Sequence, residues 1–186
     1  MNHYSKQQAM NNQPRSFVIG TVECVDSQWI FFEDESDEAS MLHEVMDDTL
    51  ELLIDTRWEK AIMVDDRQIK LHDGTYLLRN GDKLRLTKKL PYAYEQLLQS
   101  LPKETFLSFT HHLNSLKFSL YDCIYCHNTL CFLPTDGDTK GANFIIYDNE
   151  EKICAVQHLF ERGTHHLDRF EYTVNDGERS MNLFLD

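Results

Sequence analysis

From Ser16 to Thr56 the chain has not one lysine or arginine. Twelve acids stand in that stretch: Glu23, Asp26, Glu33, Asp34, Glu35, Asp37, Glu38, Glu44, Asp47, Asp48, Glu51 and Asp55. The other 19 acids and the 18 basic residues nearly cancel, so this one segment sets the net charge of −13. A field of that sign repels phosphate backbones, which makes duplex nucleic acid a poor partner. Glycine is scarce, at 7 residues of 186, and G-x-G-x-x-G, G-x-x-x-x-G-K-[ST] and G-x-S-x-G are all missing. The phosphate-cradling loops and nucleophile elbows of common enzymes are therefore not to be expected. Apolar runs are short; Phe144-Ile145-Ile146-Tyr147 is typical, where a membrane-spanning helix needs about 20 residues. Residues 1–15 form a polar arm without the apolar stretch of a secretory signal, so the expected compartment is the cytoplasm. Five cysteines, an odd number, then read as reduced thiols and not as a disulfide framework.

What is present is a globular composition, 41% hydrophobic and 26% charged, long enough for one large domain or two small ones. Residues 16–88 read as a run of short strands. Phe17, Ile19 and Thr21 alternate with Val18, Gly20 and Val22, and Trp58, Lys60, Ile62 and Val64 alternate with Glu59, Ala61 and Met63, the period of two that marks a strand. Trp29-Ile30-Phe31-Phe32 reads as a strand buried on both faces. The dipeptides Asp73-Gly74, Asn80-Gly81 and, near the C-terminus, Asp176-Gly177 lie between alternating runs, so each is expected to join two antiparallel strands. Six or seven strands in so short a span suggest a small closed or half-closed β-barrel. In pattern alone it resembles SH3-like or OB-like barrels. The acidic span 33–48 is its longest interruption, and a long acidic loop or short helix on a barrel is where a partner surface is sought.

Pro91 and Pro102 mark two helix starts. The first helix covers 92–100. From Lys103 the residues Phe106, Phe109, Leu113, Leu116, Leu120, Cys123 and Ile124 recur at three- and four-residue steps, which extends a helical segment over 91–127. Phe118 and Tyr121 also fit a strand, so the pattern leaves the end of that segment open. Residues 128–186 return to hairpins, with Asn143–Asp148 and Lys152–Phe160 flanking a turn and Phe170, Tyr172 and Val174 alternating with Arg169, Glu171 and Thr173. The fold class expected is α+β: an N-terminal small barrel, a helical middle, and a C-terminal antiparallel sheet packed on the helices.

One cysteine cluster stands out. Cys123-Ile124-Tyr125-Cys126-His127, with Cys131 beyond it, has the form of c-type haem attachment, but that chemistry normally follows export. Two thiolates at this spacing also suit a tetrahedral metal, with His127 and Cys131 as further ligands. Against it, a second paired knuckle is missing and Ile124-Tyr125 is bulky for a metal knuckle. Cys154 and His158, four residues apart on a strand, would sit about 13 Å from each other, too far to share one ion. A redox pair and plain burial of small hydrophobes are the other fates of such cysteines. No cofactor is expected. The pairs His111-His112 and His165-His166 match no metal motif. Asp136 to Gly141 imitates the start of a calcium loop but places Lys140 where an oxygen ligand belongs.

Three functions are compatible with these residues. The first, and the expected one, is a non-enzymatic binding or regulatory module whose acidic face, with Glu33, Asp34, Glu35, Asp37 and Glu38 as candidate contacts, meets a basic protein partner. The second is a metal- or thiol-dependent protein centred on Cys123, Cys126, His127 and Cys131. The third is an enzyme with a pocket between barrel and sheet that draws on His127 or His158.

Overall fold

The computed structural model of the protein describes residues 5–34, 36, 38–46, 49–133, 137–164 and 166–185. In chain order the elements are α1 (Lys6–Asn11), β1 (Phe17–Val25), β2 (Gln28–Glu33), β3 (Ala39–Met41), α2 (Leu42–Val45), β4 (Thr49–Ile54), β5 (Arg57–Met63), β6 (Gln68–Leu71), β7 (Gly74–Leu77) and β8 (Asp82–Thr87). Then come α3 (Tyr92–Ser100), α4 (Lys103–Ser115), β9 (Cys123–His127), β10 (Thr139–Asp148), β11 (Ile153–Arg162), β12 (Leu167–Val174) and β13 (Arg179–Leu185). Phe17–Lys88 forms one compact unit, and the described residues before and after it form the other. The fold is mixed α+β, and every strand pair is antiparallel. Among the described residues no helix is long and apolar enough to cross a membrane.

The N-terminal unit is one eight-stranded sheet in the order β3-β2-β1-β8-β4-β5-β6-β7. Of the closed or half-closed barrel expected, closure is not shown: β3 and β7 are the two ends, and no pairing among the described residues joins them. Alternating strands report how each pleat is buried, not whether the outer edges meet, so the sequence pattern fits an open sheet equally well. The β1–β2 connection is a two-residue turn, Asp26-Ser27, with both residues at positive φ (48° and 67°). That is the geometry whose twist matches two antiparallel strands. Asp73-Gly74 closes the β6–β7 hairpin as expected. Asn80-Gly81 does not close one, because β7 pairs with β6 and β8 pairs with β1. The Asn80 side chain accepts a hydrogen bond from the Cys24 amide at 2.9 Å, and the Gly81 amide donates to the Val22 carbonyl at 2.8 Å. The turn is thus docked on β1 and hands the chain to a distant partner. Trp29 and Phe31 are buried while Phe32 is 36% exposed, so β2 is covered on one face and not on both. Gly20 lies where a Cβ would overlap the Phe32 carbonyl and the Phe31 ring. The core gathers Val22, Phe31, Leu50, Leu52, Ile69 and Leu84, and each such side chain contributes about 1.5–3 kcal/mol by leaving water.

The second unit is a five-stranded sheet in the order β13-β12-β11-β10-β9, with the helices' apolar residues in the same core as its inner face. Tyr94, Leu97 and Leu98 of α3 and Phe106, Phe109 and Leu113 of α4 are buried at helical spacing, and the Phe109 ring lies 4.7 Å from that of Phe170. The helical segment does not run to residue 127. It ends at Ser115 with Leu116 as its C-cap, because Lys117 adopts φ 73° and the Phe118 and Lys117 amides bond back to the Leu113 and Asn114 carbonyls. This is a Schellman stop with lysine in the place usually held by glycine. A capped 3-10 turn at Leu120–Asp122 follows, and Cys123–His127 is strand. The polar arm is built into this unit. Ala9 of α1 is buried, the Lys6 ammonium donates to the Leu98 (2.9 Å), Gln99 (3.0 Å) and Leu101 carbonyls at the end of α3, and Arg15 grips buried Asp122 with two bonds of 2.7 and 2.5 Å. A cation on the last carbonyls of a helix satisfies groups that have no intrahelical partner.

Candidate functional site

The strand that carries the cysteine cluster parts its histidine from its thiols, while Cys123 and Cys126 both lie on the covered side. Successive side chains of β9 point to opposite faces, so Cys126 and His127 diverge. Cys126 pairs with Ile145 on the covered side, and His127 pairs with Phe144 on the exposed side. Cys131 sits on a 3-10 turn, exposed, with its sulfur 3.2 Å from the Asn128 amide nitrogen. Burial, with the neighbouring Cys131 sulfur adding to it, pushes the Cys126 thiol up to about 12. Burial pushes Cys154 up to about 11 and Cys123 further still. A thiol held protonated is a poor nucleophile. Among the described residues no three His, Cys, Asp or Glu side chains converge to hold a metal ion. The expected spacing of Cys154 and His158 stands, since both lie on β11 and face the core.

His158, one of the two histidines on which an enzyme reading draws, is fully buried and has both ring nitrogens engaged. The Asn143 amide lies 3.1 Å from Nδ1 and Asp168 Oδ1 lies 2.7 Å from Nε2. An amide N–H can only donate to Nδ1, so the proton sits on Nε2 and is donated to Asp168. Arg162 donates to the same carboxylate oxygen at 2.6 Å, and Asn143 Oδ1 accepts from the Thr129 amide and hydroxyl at 2.7 and 2.8 Å. Burial holds the His158 pKa below its ordinary value despite Asp168. Burial would raise the Asp168 carboxyl, but hydrogen bonds from His158 and Arg162 outweigh it and hold that pKa low. With no lone pair left over, this histidine cannot serve as a general base. It ties β10, β11 and β12 together. His127 is on the opposite face of the sheet and does not approach it. Of the other histidines, His111 is exposed, His112 hydrogen-bonds Ser180 at 2.7 Å, and His165 lies outside the described residues. Asp136 lies outside them too, while Asp138 accepts from the Thr164 amide and hydroxyl at 2.8 and 3.1 Å.

The acidic segment is met, in part, by bases from strands that fold beside it. Asp34 pairs with Lys83 at 2.7 Å, and Glu51 pairs with Arg85 at 2.5 Å. Arg85 lies over the Phe17 and Trp58 rings at 4.2 and 4.9 Å. Glu33 accepts from the Ser36 hydroxyl at 3.3 Å. Glu35 and Asp37 lie outside the described residues. Glu23, Asp26, Glu38 and Glu44 are exposed and have no base within ion-pair distance among the described residues. Overall, residues 17–88 carry 17 acids against 8 bases, a net of −9, and the rest of the chain carries 14 against 10.

Within this acidic unit a cleft of about 510 Å³ opens between β2, α2 and the end of β5. Its apolar lining is Trp29, Leu42, Met46, Met63 and Val64, and Asp65 and Asp66 stand at its wall with His43 and Gln28. The turn that holds the two acids is hydrogen-bonded within itself and to Trp29. Asp65 Oδ1 accepts from the Arg67 and Gln68 amides at 2.9 and 2.7 Å, and the Trp29 indole N–H donates to the Asp66 carbonyl. Sequence reasoning placed none of these residues in a site. Trp29, Met46, Met63 and Asp66 belong to four separate elements or turns, and no spacing signal relates them.

Over 126 residues the chain is 32% identical to "Uncharacterized protein YisN" of Bacillus subtilis (strain 168), a match that covers 67% of this chain. It covers 64% of that relative, so the chain spans just under two thirds of the relative's length. No solved structure matches the fold. The family described as "Protein of unknown function (DUF2777)" matches residues 4–183, which takes in both units from α1 to the middle of β13, and the chain belongs to that family.

Proposed function

We propose that this protein is a non-enzymatic binding or regulatory module that receives a basic protein partner on the acidic face of residues 17–88. The observation that carries the reading is the uneven charge: a net of −9 in 72 residues, with Glu23, Asp26, Glu38 and Glu44 exposed and without a base at ion-pair distance among the described residues. Such a field speeds the approach of a basic surface and repels acidic ones. The fates of Cys126 and His158 support it from the other side, because the reactive-looking side chains serve packing.

The test is binding of the intact protein to a lysine/serine peptide of about 15 residues at rising salt, where screening lengths fall from about 30 Å at 0.01 M to about 8 Å at 0.15 M. One variant carries Glu23→Gln, Asp26→Asn, Glu38→Gln and Glu44→Gln. A control carries Glu104→Gln, Glu150→Gln, Glu151→Gln and Glu178→Gln in the other unit. The expected result is a loss of at least fivefold in the first variant and little change in the control. Equal losses in both would mean that the peptide senses only total charge, and the reading would be abandoned.

A further inference from the structure

Resting on that reading, we infer that the Trp29 cleft is the seat for a large apolar side chain of the basic partner segment. The segment it fits carries a leucine- or phenylalanine-sized anchor flanked by lysines or arginines.

The lining supplies the first reason. Trp29 and Leu42 are nearly fully buried and form a fixed floor, whereas Val64 is 57% exposed at the lip. Two of the side chains between them, Met46 and Met63, are methionines, whose unbranched thioethers adapt to differently shaped anchors. A volume near 510 Å³ lies within the range of sites that enclose a ligand group. Charge supplies the second reason. Asp65 and Asp66 line the cleft, and Asp26 and Glu44 adjoin its lining residues Ser27 and His43 in sequence. Among these positions the neighbouring base is Arg67, whose guanidinium is directed to the Cys24 sulfur at 3.9 Å. An apolar seat rimmed by carboxylates rejects an acidic or purely polar segment and accepts one in which cations flank an apolar residue. The third reason is preorganisation. The Trp29–Asp66 hydrogen bond and the two Asp65 bonds hold floor and rim in place before any partner arrives, so little ordering is left for binding.

Trp29 is its own reporter, since the chain has two tryptophans and Trp58→Phe leaves Trp29 alone. The probes are a lysine/leucine peptide of about 15 residues and the lysine/serine peptide of equal charge, titrated into the Trp58→Phe protein. The lysine/leucine peptide is expected to bind at least tenfold more tightly and to shift Trp29 emission saturably. Met63→Gln is expected to lose that tenfold preference. Val64→Gln, at an exposed position that folding tolerates, is expected to lose part of it while binding of the lysine/serine peptide is unchanged. Equal binding of the two peptides with no change in Trp29 emission would overturn the cleft inference and leave the acidic-face reading standing. Failure of both peptides to bind would overturn both. If dodecyltrimethylammonium below its micelle concentration shifts Trp29 emission and the lysine/leucine peptide does not, the cleft takes a small amphiphile and the peptide inference is wrong.

Discussion

The two units use carboxylates in opposite ways. In residues 17–88 the acids lie on strand surfaces and turns, and the best-placed of them meet bases across the sheet, as Asp34 meets Lys83 and Glu51 meets Arg85. In the other unit the carboxylates that matter are inside. The side chains of Asp122 and Asp168 are 3% and 4% exposed, and each is held by an arginine. A carboxylate in water costs nothing to keep and remains available to a partner. A carboxylate in the core is tolerable only when paired and hydrogen-bonded, and removing its partner leaves an uncompensated charge. The same residue type therefore supplies a surface field in one unit and structural specificity in the other.

The sharpest way to break this comparison is at Asp168. Asp168→Ala leaves the Arg162 guanidinium and the His158 N–H without their shared acceptor. The expected loss is about 3–5 kcal/mol of unfolding free energy, read from urea denaturation. A loss below about 1 kcal/mol would show that the network is solvated after all.

Almost nothing in the sequence foretells that network. Asn143, His158, Arg162 and Asp168 are spread over three strands with no motif spacing, and only the β10–β11–β12 register brings them together. Local structure was far more legible. Antiparallel strands, the Asp73-Gly74 and Asp176-Gly177 hairpins and the two proline-started helices follow from residue preferences that act within a few positions. The misreadings had two sources, strand pairing between distant residues and a local helix stop made without glycine. Asn80-Gly81 has the chemistry of a hairpin turn, but which strand β8 joins is decided by β1. Lys117 gives no hint of a left-handed helix stop, so the apolar period seemed to continue into what is strand β9. The partners of Asp34 and Glu51 were hidden because Lys83 and Arg85 come from 49 and 34 residues away.

Acid should expose the contrast next. Burial holds the pKa of His158 below its ordinary value, and burial acts on His112 in the same direction. Below their ordinary value of 6.5 the unfolded chain takes up protons that these native histidines refuse, so stability falls as pH drops. The slope for each proton is at most about 1.4 kcal/mol per pH unit. Asp168 acts in the same direction at lower pH. Its depressed pKa stabilises the fold above 3.8, and that contribution is lost as pH falls through the folded value. Urea midpoints should fall between pH 7 and pH 5, and an unchanged midpoint over that interval would contradict a buried neutral His158.

A smaller effect of opposite sign is expected at Tyr172. Its hydroxyl is buried, and no described protein group hydrogen-bonds it. Tyr147, equally buried, donates to the Tyr94 hydroxyl at 2.9 Å. Removing an unsatisfied polar atom relieves its desolvation, whereas removing a bonded one strands its partner. Tyr172→Phe should be neutral to stabilising by about 1 kcal/mol, and Tyr147→Phe should cost about 1 kcal/mol. Equal losses from both would mean that Tyr172 has found a partner in solution.

The smallest effects belong to the acids of the N-terminal unit, and their sign carries the information. Glu23, Asp26, Glu38 and Glu44 belong to the unit of net charge −9 and have no base at ion-pair distance among the described residues. Changing one of them to its amide should therefore stabilise the protein by a few tenths of a kcal/mol, and added salt should shrink that gain by screening. Glu51 differs, because its side chain is 12% exposed and shares Arg85 with two aromatic rings. Glu51→Gln should destabilise by about 1 kcal/mol and resist salt, as an inward pair would. Asp34, 32% exposed beside Lys83, should fall between the two. Midpoints of chemical denaturation measured for the three kinds of variant at low and high salt decide the matter. If Glu23→Gln and Glu51→Gln shift the midpoint in the same direction, the division into field-making and fold-making carboxylates fails inside the very unit where the field is strongest.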